Sequence, residues 1–342
     1  MNRQVRRACI LTLVVVLALL AMPAGELQAA PLKIRMGYVV APVDWNIMLY
    51  QKTDILKNYG KSYVVEYFHF QGSSPQIQAL AAGELEGASL AFSSFANAIM
   101  NAKLDLRVVA DLFQDGVPGY MAIPWMVTEK SGYKKVEDLR GKTIAINVFG
   151  AGVDAAMRAV MAKHGMTFKK DYQVVEVAFP HIETFLREGK IDAGVLVQPF
   201  YSIAKKKGGL KTIFTGTEAT GRNQFVILVM RPEFLKKNEV VLRDFWDDWL
   251  RALAWWLDPK NRNEALDITA KVSKQPRSAF EEWFLTKEDF YHDPNGIPDL
   301  DALQRNVNLL QETGITKGTI DVRKYTDLSQ IKAATERMKK MK

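Results

Sequence analysis

Phe70-Gln71-Gly72-Ser73-Ser74-Pro75, followed by Gly83-Glu84-Leu85-Glu86-Gly87-Ala88, is the first copy of the pattern that decides the fold of this 342-residue chain. The second copy has Pro180 after an apolar run and then Gly189-Lys190-Ile191-Asp192-Ala193-Gly194. One offset of 106 residues places Gly83 on Gly189 (189 − 83) and Glu86 on Asp192 (192 − 86). The chain therefore contains a duplicated structural unit.

Each copy predicts the same order of elements. A strand ends in a polar loop, a short helix follows and closes at a glycine, and a second apolar strand then leads to another loop and helix. Parallel strands joined by helices expose their carboxyl-end loops at one edge of the sheet, where α/β proteins bind ligands. The pattern therefore predicts an α/β protein with two lobes that face each other, each lobe a mainly parallel sheet flanked by helices.

Composition excludes several classes of protein. The chain is 48% hydrophobic and 25% charged, which is typical of a globular protein and not of a disordered or fibrous one. A formal net charge of +8 fits an anionic ligand or an anionic membrane. Lys/Arg clusters do not alternate with aromatic residues, so we expect no nucleic-acid partner.

Residues 1–30 are typical of a secretory signal peptide. Arg3, Arg6 and Arg7 precede the apolar stretch 10–22, and Ala29-Ala30 offers small residues for cleavage. An amino-terminal membrane anchor is the alternative, but the stretch is short for a membrane span. Cys9 is the only cysteine, so the mature chain would have no disulfide and no thiol nucleophile. The sequence predicts an exported protein of the periplasm.

Serines at two predicted strand ends are candidate ligand-binding groups. Ser74 is predicted to cap a helix with Pro75 at its first position, and the N–H groups there could bind an anionic oxygen together with Ser73. Ser93-Ser94 ends the next strand. The alternative is that Ser74 only caps its own helix. Trp45, in the loop before the first predicted helix (which is expected to run to Tyr59-Gly60), is either a wall of the ligand site or a core anchor.

The loop Phe149-Gly150-Ala151-Gly152 lets a ligand approach the backbone closely. It lacks the third glycine and the later acidic residue of a dinucleotide-binding fingerprint. Asp154 suits the positive end of the following helix. If its side chain instead pointed into the cleft, it would repel a simple anion and favour a ligand that also carries an amine or a hydroxyl.

The order of elements predicts where the chain crosses between lobes. Pro124 marks the first crossing, and the strand 224–230 marks the return. Lobe 1 is then residues 31–119 and 225–342, and lobe 2 is residues 120–224. Apolar residues at three- and four-residue steps over 245–257 predict a core-facing helix in a helical extension of lobe 1.

Catalytic chemistry is not indicated by any motif. The four histidines, at positions 69, 164, 181 and 292, are not at metal-ligand spacing, and no nucleophile elbow or phosphate-binding loop is present. We therefore predict a binding protein with no catalytic residue, no metal and no cofactor.

Five motifs together resemble the periplasmic substrate-binding proteins of nitrate, sulfonate and taurine importers. They are Lys33-Ile34-Arg35-Met36-Gly37-Tyr38, the run at 79–87, the run at 136–145, the segment from Gly189-Lys190-Ile191-Asp192-Ala193 to Gln198-Pro199-Phe200, and Glu312-Thr313-Gly314-Ile315. The resemblance covers residues 32–322.

This resemblance implies a type II periplasmic binding protein fold and the function of an importer component. A monomer would hold a small organic anion between its lobes and deliver it to a membrane permease driven by an ATPase. The ligand contacts that it implies are Gly72, Ser73, Ser74, Ser93, Ser94, the loop 149–154 with Phe149, Gly150, Ala151 and Asp154, and the segment with Gln198 and Phe200.

Two segments depart from the pattern of sulfonate and taurine binders. Val197-Gln198 stands where those proteins commonly have an acidic residue after an aromatic one, and serines or threonines do not follow the glycine loop. A pyrimidine or an aromatic acid is therefore an alternative ligand. A pyrimidine-forming enzyme of the thiamin pathway and a sensing module are the alternative functions.

Overall fold

Two five-stranded sheets form the centre of the protein, whose computed structural model describes residues 30–340. The first sheet has the order β2-β1-β3-β10-β4 and the second β7-β6-β8-β5-β9. The strands are β1 (Leu32–Tyr38), β2 (Tyr63–His69), β3 (Gly87–Ala91), β4 (Arg107–Asp115), β5 (Pro124–Thr128), β6 (Thr143–Ile146), β7 (Gln173–Glu176), β8 (Ala193–Val195), β9 (Leu210–Thr215) and β10 (Asn223–Met230).

The two sheets have the same pattern of parallel and antiparallel strands. In the first, β2, β1 and β3 are parallel, while β10 runs antiparallel to both β3 and β4. In the second, β7, β6 and β8 are parallel, and β5 runs antiparallel to both β8 and β9. Four strands of each sheet thus share one direction. The prediction of two α/β units with mainly parallel sheets is confirmed.

Helices cover the sheets. They are α1 (Trp45–Leu49), α2 (Ser73–Ala81), α3 (Phe92–Met100), α4 (Gly152–Lys163), α5 (Phe179–Arg187), α6 (Phe200–Lys207), α7 (Thr217–Thr220), α8 (Pro232–Lys237), α9 (Glu239–Leu257), α10 (Arg262–Ser273), α11 (Leu300–Glu312) and α12 (Ser329–Lys339). Among the helices of residues 30–340, none combines the length and the apolar character that a membrane span needs. The predicted signal peptide lies outside the described residues, apart from its last residue.

The helix after Trp45 is much shorter than predicted. It ends at Leu49, and a turn of 3₁₀ helix at Thr53–Ile55 follows. The carboxylate of Asp248, on α9, accepts hydrogen bonds from the backbone N–H groups of residues 57–59 at 2.8 to 3.2 Å. Because these N–H groups bind a distant carboxylate, they do not extend the helix towards Tyr59-Gly60.

The prediction that Ser74 caps α2 is wrong. The helix begins at Ser73, Gly72 occupies the capping position, and the serine side chains make no capping bond. Instead, the Ser73 and Ser94 hydroxyls lie 2.7 Å apart, and the Ser74 hydroxyl donates to the Phe149 carbonyl at 3.1 Å. The hydroxyls have found partners in other elements, and this removes the reason for a cap.

The long helix α9 buries the aromatic face that the sequence predicts. Phe245, Trp246, Trp249 and Trp256 are each at most 1% exposed. α12 packs on α9, and α11 packs on β10 and α3. These carboxyl-terminal helices therefore cover the first sheet, and they do not present an aromatic surface to a ligand.

Candidate functional site

A cavity of about 60 Å³ lies between the two sheets. Its walls come from loops and helix starts of both halves, at the carboxyl ends of the parallel strands. The lining residues are Val39, Val40, Val43, Asp44, Ser73, Ser89, Ala91, Phe113, Ile123, Asn147, Ala151, Gly152, Val153, Phe179, Val197, Phe225, Val226 and Phe290. Volume on this scale holds roughly four to six water molecules.

The lining is apolar with four exceptions: Asp44, Ser73, Ser89 and Asn147. Among the described lining residues there is no lysine, arginine or histidine. The aromatic wall is formed by Phe113, whose ring lies 5.4 Å from Phe225 and 4.6 Å from Phe290 between centroids. Such a site provides much apolar contact and few polar groups, as small-molecule sites do.

Asp44 is the one charged group on this wall. The loop after β1 places it immediately before α1, where its Oδ2 accepts hydrogen bonds from the N–H groups of Val39 at 2.6 Å and Val40 at 2.9 Å. Burial raises the pKa of Asp44 to about 6, against the opposing effect of those two N–H groups and of the Ser89 hydroxyl. Both backbone bonds end on Oδ2, so Oδ1 keeps acceptor capacity.

Asn147 follows directly after β6 and is 3% exposed. Its Nδ2 donates to the Gln71 carbonyl at 2.9 Å, which fixes the orientation of the amide because a carbonyl can only accept. Its Oδ1 is buried and has no hydrogen-bond partner within residues 30–340. Asn147 lines the cavity, so one residue of its wall carries a buried acceptor that no described group pairs with.

The four predicted serines come together, but they bind protein groups. Ser93 donates to the Gly150 carbonyl at 3.0 Å, and Ser94 lies 3.3 Å from the same carbonyl. With the bond from Ser74 to Phe149, three hydroxyls contact one loop of the other half of the protein. Of the four, only Ser73 lines the cavity. In this structure the cluster holds the two halves together.

Only the second part of the glycine loop lines the cavity. Ala151, Gly152 and Val153 line it, and a side chain at position 152 would lie 2.7 Å from the Ala91 Cβ. Gly150 has φ +76°, a left-handed conformation that favours glycine.

The other two members of this loop region point elsewhere. Phe149 is 40% exposed, and its ring lies 6.0 Å from Phe168. Asp154 binds the Gly150 N–H at 2.9 Å and the Arg158 guanidinium at 2.7 Å, so its interpretation as a structural residue fits the contacts and its side chain does not line the cavity.

Trp45, Gly72, Gln198 and Phe200 also lie outside the cavity lining. Trp45 is 2% exposed and packs with His292 at 4.2 Å between ring centroids, as a core anchor. Gly72 packs against Asn147 and Val148. Gln198 is fully buried, and its amide donates to the Glu288 carbonyl at 3.2 Å.

Phe200 lines a second pocket of about 410 Å³, which we call the outer pocket. The outer pocket shares Val39, Val40 and Phe179 with the cavity, so the two spaces adjoin. His69 and Lys274 are also on its wall. A ligand larger than the cavity could extend in this direction.

Several lining residues were not predicted. Asp44 follows β1 and Asn147 follows β6, so the rule that picked the serines could have found them. Phe113, Phe225 and Phe290 gave no such signal, since nothing in an apolar sequence shows which phenylalanine faces a cavity. Within residues 30–340 no group of His, Cys, Asp and Glu could hold a metal ion.

Comparison with known proteins points to one family. A family model described as NMT1-like matches residues 28–270. A protein of Escherichia coli (strain K12), named as an aliphatic sulfonates-binding protein, is 22% identical over 86% of this chain and 89% of its own. One of Bacillus subtilis (strain 168) with the same name is 24% identical over 80% and 79%.

Solved structures show the same fold. The alkanesulfonate-binding protein SsuA from Xanthomonas axonopodis pv. citri, bound to MOPS, superposes with TM-score 0.69 at 18% identity over 88% of this chain and 100% of its own. The periplasmic nitrate-binding protein NrtA from Synechocystis PCC 6803 gives 0.70 at 13% identity, covering 90% and 89%. The desulfurization enzyme DSZB gives 0.63 at 11% identity, covering 90% and 99%. At these identities the likeness establishes the fold alone.

Proposed function

Because this chain belongs to the NMT1-like family, we propose that it is the extracytoplasmic substrate-binding component of an ABC importer. Two lobes would close over a small organic solute and deliver it to a membrane permease and its ATPase. The observation that carries the proposal is the cavity between the two sheets, which is lined from both sides at the carboxyl ends of their strands. A binding protein needs such a site, since only a ligand that touches both lobes favours the closed form.

The segments between the sheets support a closing motion. Residues 116–123 and 216–222 connect strands of the first sheet with strands of the second. We propose that they separate lobe 1 (31–119 and 225–342) from lobe 2 (120–224). Asp115 accepts a hydrogen bond from the Ile123 N–H at 2.9 Å, so a carboxylate at the end of β4 holds the far end of the first segment. Two such short connections permit lobes to move as rigid bodies.

The names of the relatives make an aliphatic sulfonate or nitrate the first candidate ligand, and the sequence resemblance adds a taurine-like solute or a carboxylate. The apolar and aromatic lining favours an organic body over a small inorganic ion. The alternative ligand is a pyrimidine or an aromatic acid. Export through the signal peptide of residues 1–30, a periplasmic location and a monomeric state complete the proposal.

Binding fits the lining better than catalysis does. Among the described lining residues, Ser73 and Ser89 have no histidine beside them as a base. His292 is buried behind Trp45 and hydrogen-bonds the Leu112 carbonyl. An enzyme with this fold would need reactive groups that the cavity wall does not bring together.

Native mass spectrometry of the gently purified protein, followed by a thermal-shift panel of sulfonates, carboxylates, nitrate and pyrimidines, tests the proposal. A ligand at 100 to 1,000 times its Kd should stabilise the protein by about 3–4 kcal/mol. Ala151→Leu should abolish this response, because it fills the cavity. Ala162→Leu, an exposed position of α4, the helix that Ala151 precedes, should leave it intact. Absence of both a co-purified ligand and any response would refute the proposal.

A further inference from the structure

The polar side chains of the cavity have more free hydrogen-bond acceptors than free donors. Its hydroxyls already have partners: Ser73 shares a hydrogen bond with Ser94 at 2.7 Å, and the one proton of Ser89 goes to the Gly37 carbonyl at 3.2 Å or to the Asp44 carboxylate. What remains on the side chains is acceptor capacity, on the Asp44 carboxylate and on the Asn147 amide oxygen. Asp44 and Asn147 stand in the loops that follow β1 of the first sheet and β6 of the second, and both residues line the cavity.

Of these two acceptors, the Asn147 oxygen gives the stronger argument. It is a buried acceptor that has no partner among residues 30–340, a state that is unfavourable and uncommon in folded proteins. The Nδ2 bond to the Gln71 carbonyl prevents the amide from turning to offer its donors instead. A ligand that donates a hydrogen bond here would supply the missing partner, whereas an oxyanion would face the oxygen with another acceptor.

Charge points the same way. Lysine, arginine and histidine do not contribute to the described cavity lining, and Asp44 is its only ionisable group. An oxyanion entering it would lose its hydration without gaining a cation, and it would also approach a carboxylate. A protonated or neutral amino group would instead donate to that carboxylate. The backbone N–H groups at the starts of α2, α4 and α5, where Ser73, Gly152 and Phe179 line the cavity, are the alternative that an anion has.

From these contacts we propose that the ligand's polar end is an amino group, either protonated or attached to an aromatic ring. It donates hydrogen bonds to Asp44 and Asn147, and its apolar body lies against the phenylalanine wall. This inference rests on the proposed function, and it changes the class of solute from an oxyanion to an N–H donor. Phe179 and the outer pocket give a larger body room to extend.

A set of probes with one ring and different polar ends tests the inference on the full mature chain. Benzylamine is a protonated amine, aniline a neutral amine, and benzoate and benzenesulfonate are oxyanions with the same ring. Binding would be measured by calorimetry and thermal shift at pH 8, where Asp44 is ionised. We expect benzylamine or aniline to bind the wild-type protein and the two oxyanions to bind more weakly or not at all.

Three variants locate the contact. Asp44→Asn keeps an oxygen for the Val39 and Val40 N–H groups, yet it should weaken benzylamine binding by about 10- to 100-fold, since it removes a charge-assisted bond. Asn147→Leu should also weaken amine binding, and it provides a second reading if Asp44→Asn folds poorly. Asp54→Asn, the same change on the exposed Asp54, is the matched control and should bind as the wild type does.

Each other outcome counts against the inference. Preferential binding of benzoate or benzenesulfonate would overturn it while sustaining the proposed receptor. Equal amine affinity in the wild type, Asp44→Asn and Asn147→Leu would place the amino group elsewhere. If no probe binds, the inference fails for this chemistry, and the co-purified ligand in native mass spectrometry separately decides the proposed function.

Discussion

The first and second copies of the duplicated unit have the same backbone and different chemistry. α2 spans Ser73–Ala81 and α5 spans Phe179–Arg187, so both ends differ by the same 106 residues. Gly83 and Gly189 follow them with φ of +71° and +69°. Both helices begin at the cavity, yet Ser73 stands at the start of one and Phe179 at the start of the other. The repeat thus determines which positions line the cavity. The differences in sequence between the two copies determine which chemical groups stand at those positions.

A further pair of equivalent positions explains why only the first copy makes hydrogen bonds to the loop at Gly150. Ser93 and Ser94 of the first copy correspond to Pro199 and Phe200 of the second, 106 residues later. The two serine hydroxyls reach the Gly150 carbonyl, whereas Phe200 lines the outer pocket. The first copy therefore supplies polar contacts across the cavity, and the second supplies apolar surface.

The acid at the end of each glycine turn gives the largest expected difference between the copies. Glu86 accepts the Arg35 N–H at 2.7 Å and also pairs with the Arg35 guanidinium. Glu86→Ala should lower the free energy of unfolding by about 4 kcal/mol, since it leaves a partly buried arginine and a backbone N–H without their acceptor. Urea denaturation at pH 7 measures the change.

Its counterpart sharpens the comparison. Asp192 accepts the Thr143 N–H at 3.0 Å and the Tyr133 hydroxyl at 2.7 Å, with no arginine in the pair. Asp192→Ala should lower the free energy of unfolding by about 2 kcal/mol, because neutral donors lose less than a guanidinium does. Equal losses in the two variants would contradict the claim that the copies differ in charge at this point.

Asp44, which lies just before the first helix after β1, should make the stability of the protein depend on pH, and Asp154, in the first turn of the first helix after β6, provides the comparison. The pKa of Asp44 is raised by burial to about 6, so between pH 4 and pH 7 the folded state binds more protons than the unfolded one. The free energy of unfolding should therefore fall over that range by about 3 kcal/mol more in the wild type than in Asp44→Asn.

Urea denaturation at half-unit pH steps checks this, and the difference between the two proteins isolates Asp44 from the other buried acids. Burial raises the pKa of Asp44, and His69 opposes this less than the hydrogen bonds from Val39 and Val40 do, so a His69→Gln background tests its share. Asp154→Asn is the control. Asp154→Asn should lower the free energy of unfolding at pH 7, because it breaks the ion pair with Arg158. This change has the opposite sign to the one expected for Asp44→Asn at that pH. A flat difference curve for Asp44→Asn would contradict the prediction.

The smallest expected effect concerns Ala88 and its counterpart Gly194. A methyl group on Gly194 would lie 2.5 Å from the Ile182 Cγ2, whereas the first copy has Gln76 in place of that isoleucine. Gly194→Ala should lower the free energy of unfolding by about 2 kcal/mol through overpacking. Combining it with Ile182→Val should recover part of the loss.

Ala88→Gly, the reverse exchange, should lower the free energy of unfolding by only about 1 kcal/mol, because it removes one methyl group and adds backbone freedom. Thermal unfolding of the four proteins measures both changes. If Gly194→Ala were neutral, the second copy would have space that the structure does not show.

The sequence predicted the parts of the site that depend on strand ends and failed where a partner comes from far along the chain. The serine pairs and the loop 149–154 do meet, because parallel strands place their carboxyl ends together. The predicted length of α1 was wrong: the helix ends at Leu49, and Asp248, nearly 200 residues later, binds the N–H groups of residues 57–59 at the far end of the predicted helix. The sequence also could not show which side chain of a buried strand faces the cavity, as for Phe113 on β4 and Phe225 on β10.

The sequence by itself determined the duplicated strand-helix-strand unit, because glycine turns and apolar periodicity are local and each copy repeats them at a constant spacing. Tertiary structure alone decided the chemistry of the space between the sheets. In the folded protein the hydroxyls of Ser93 and Ser94, which the sequence offered as ligand contacts, donate hydrogen bonds to the Gly150 carbonyl. The Asn147 amide oxygen has no partner among the described residues. Whether a polar atom is free for a ligand depends on every neighbour that folding brings to it, and those neighbours lie on distant segments.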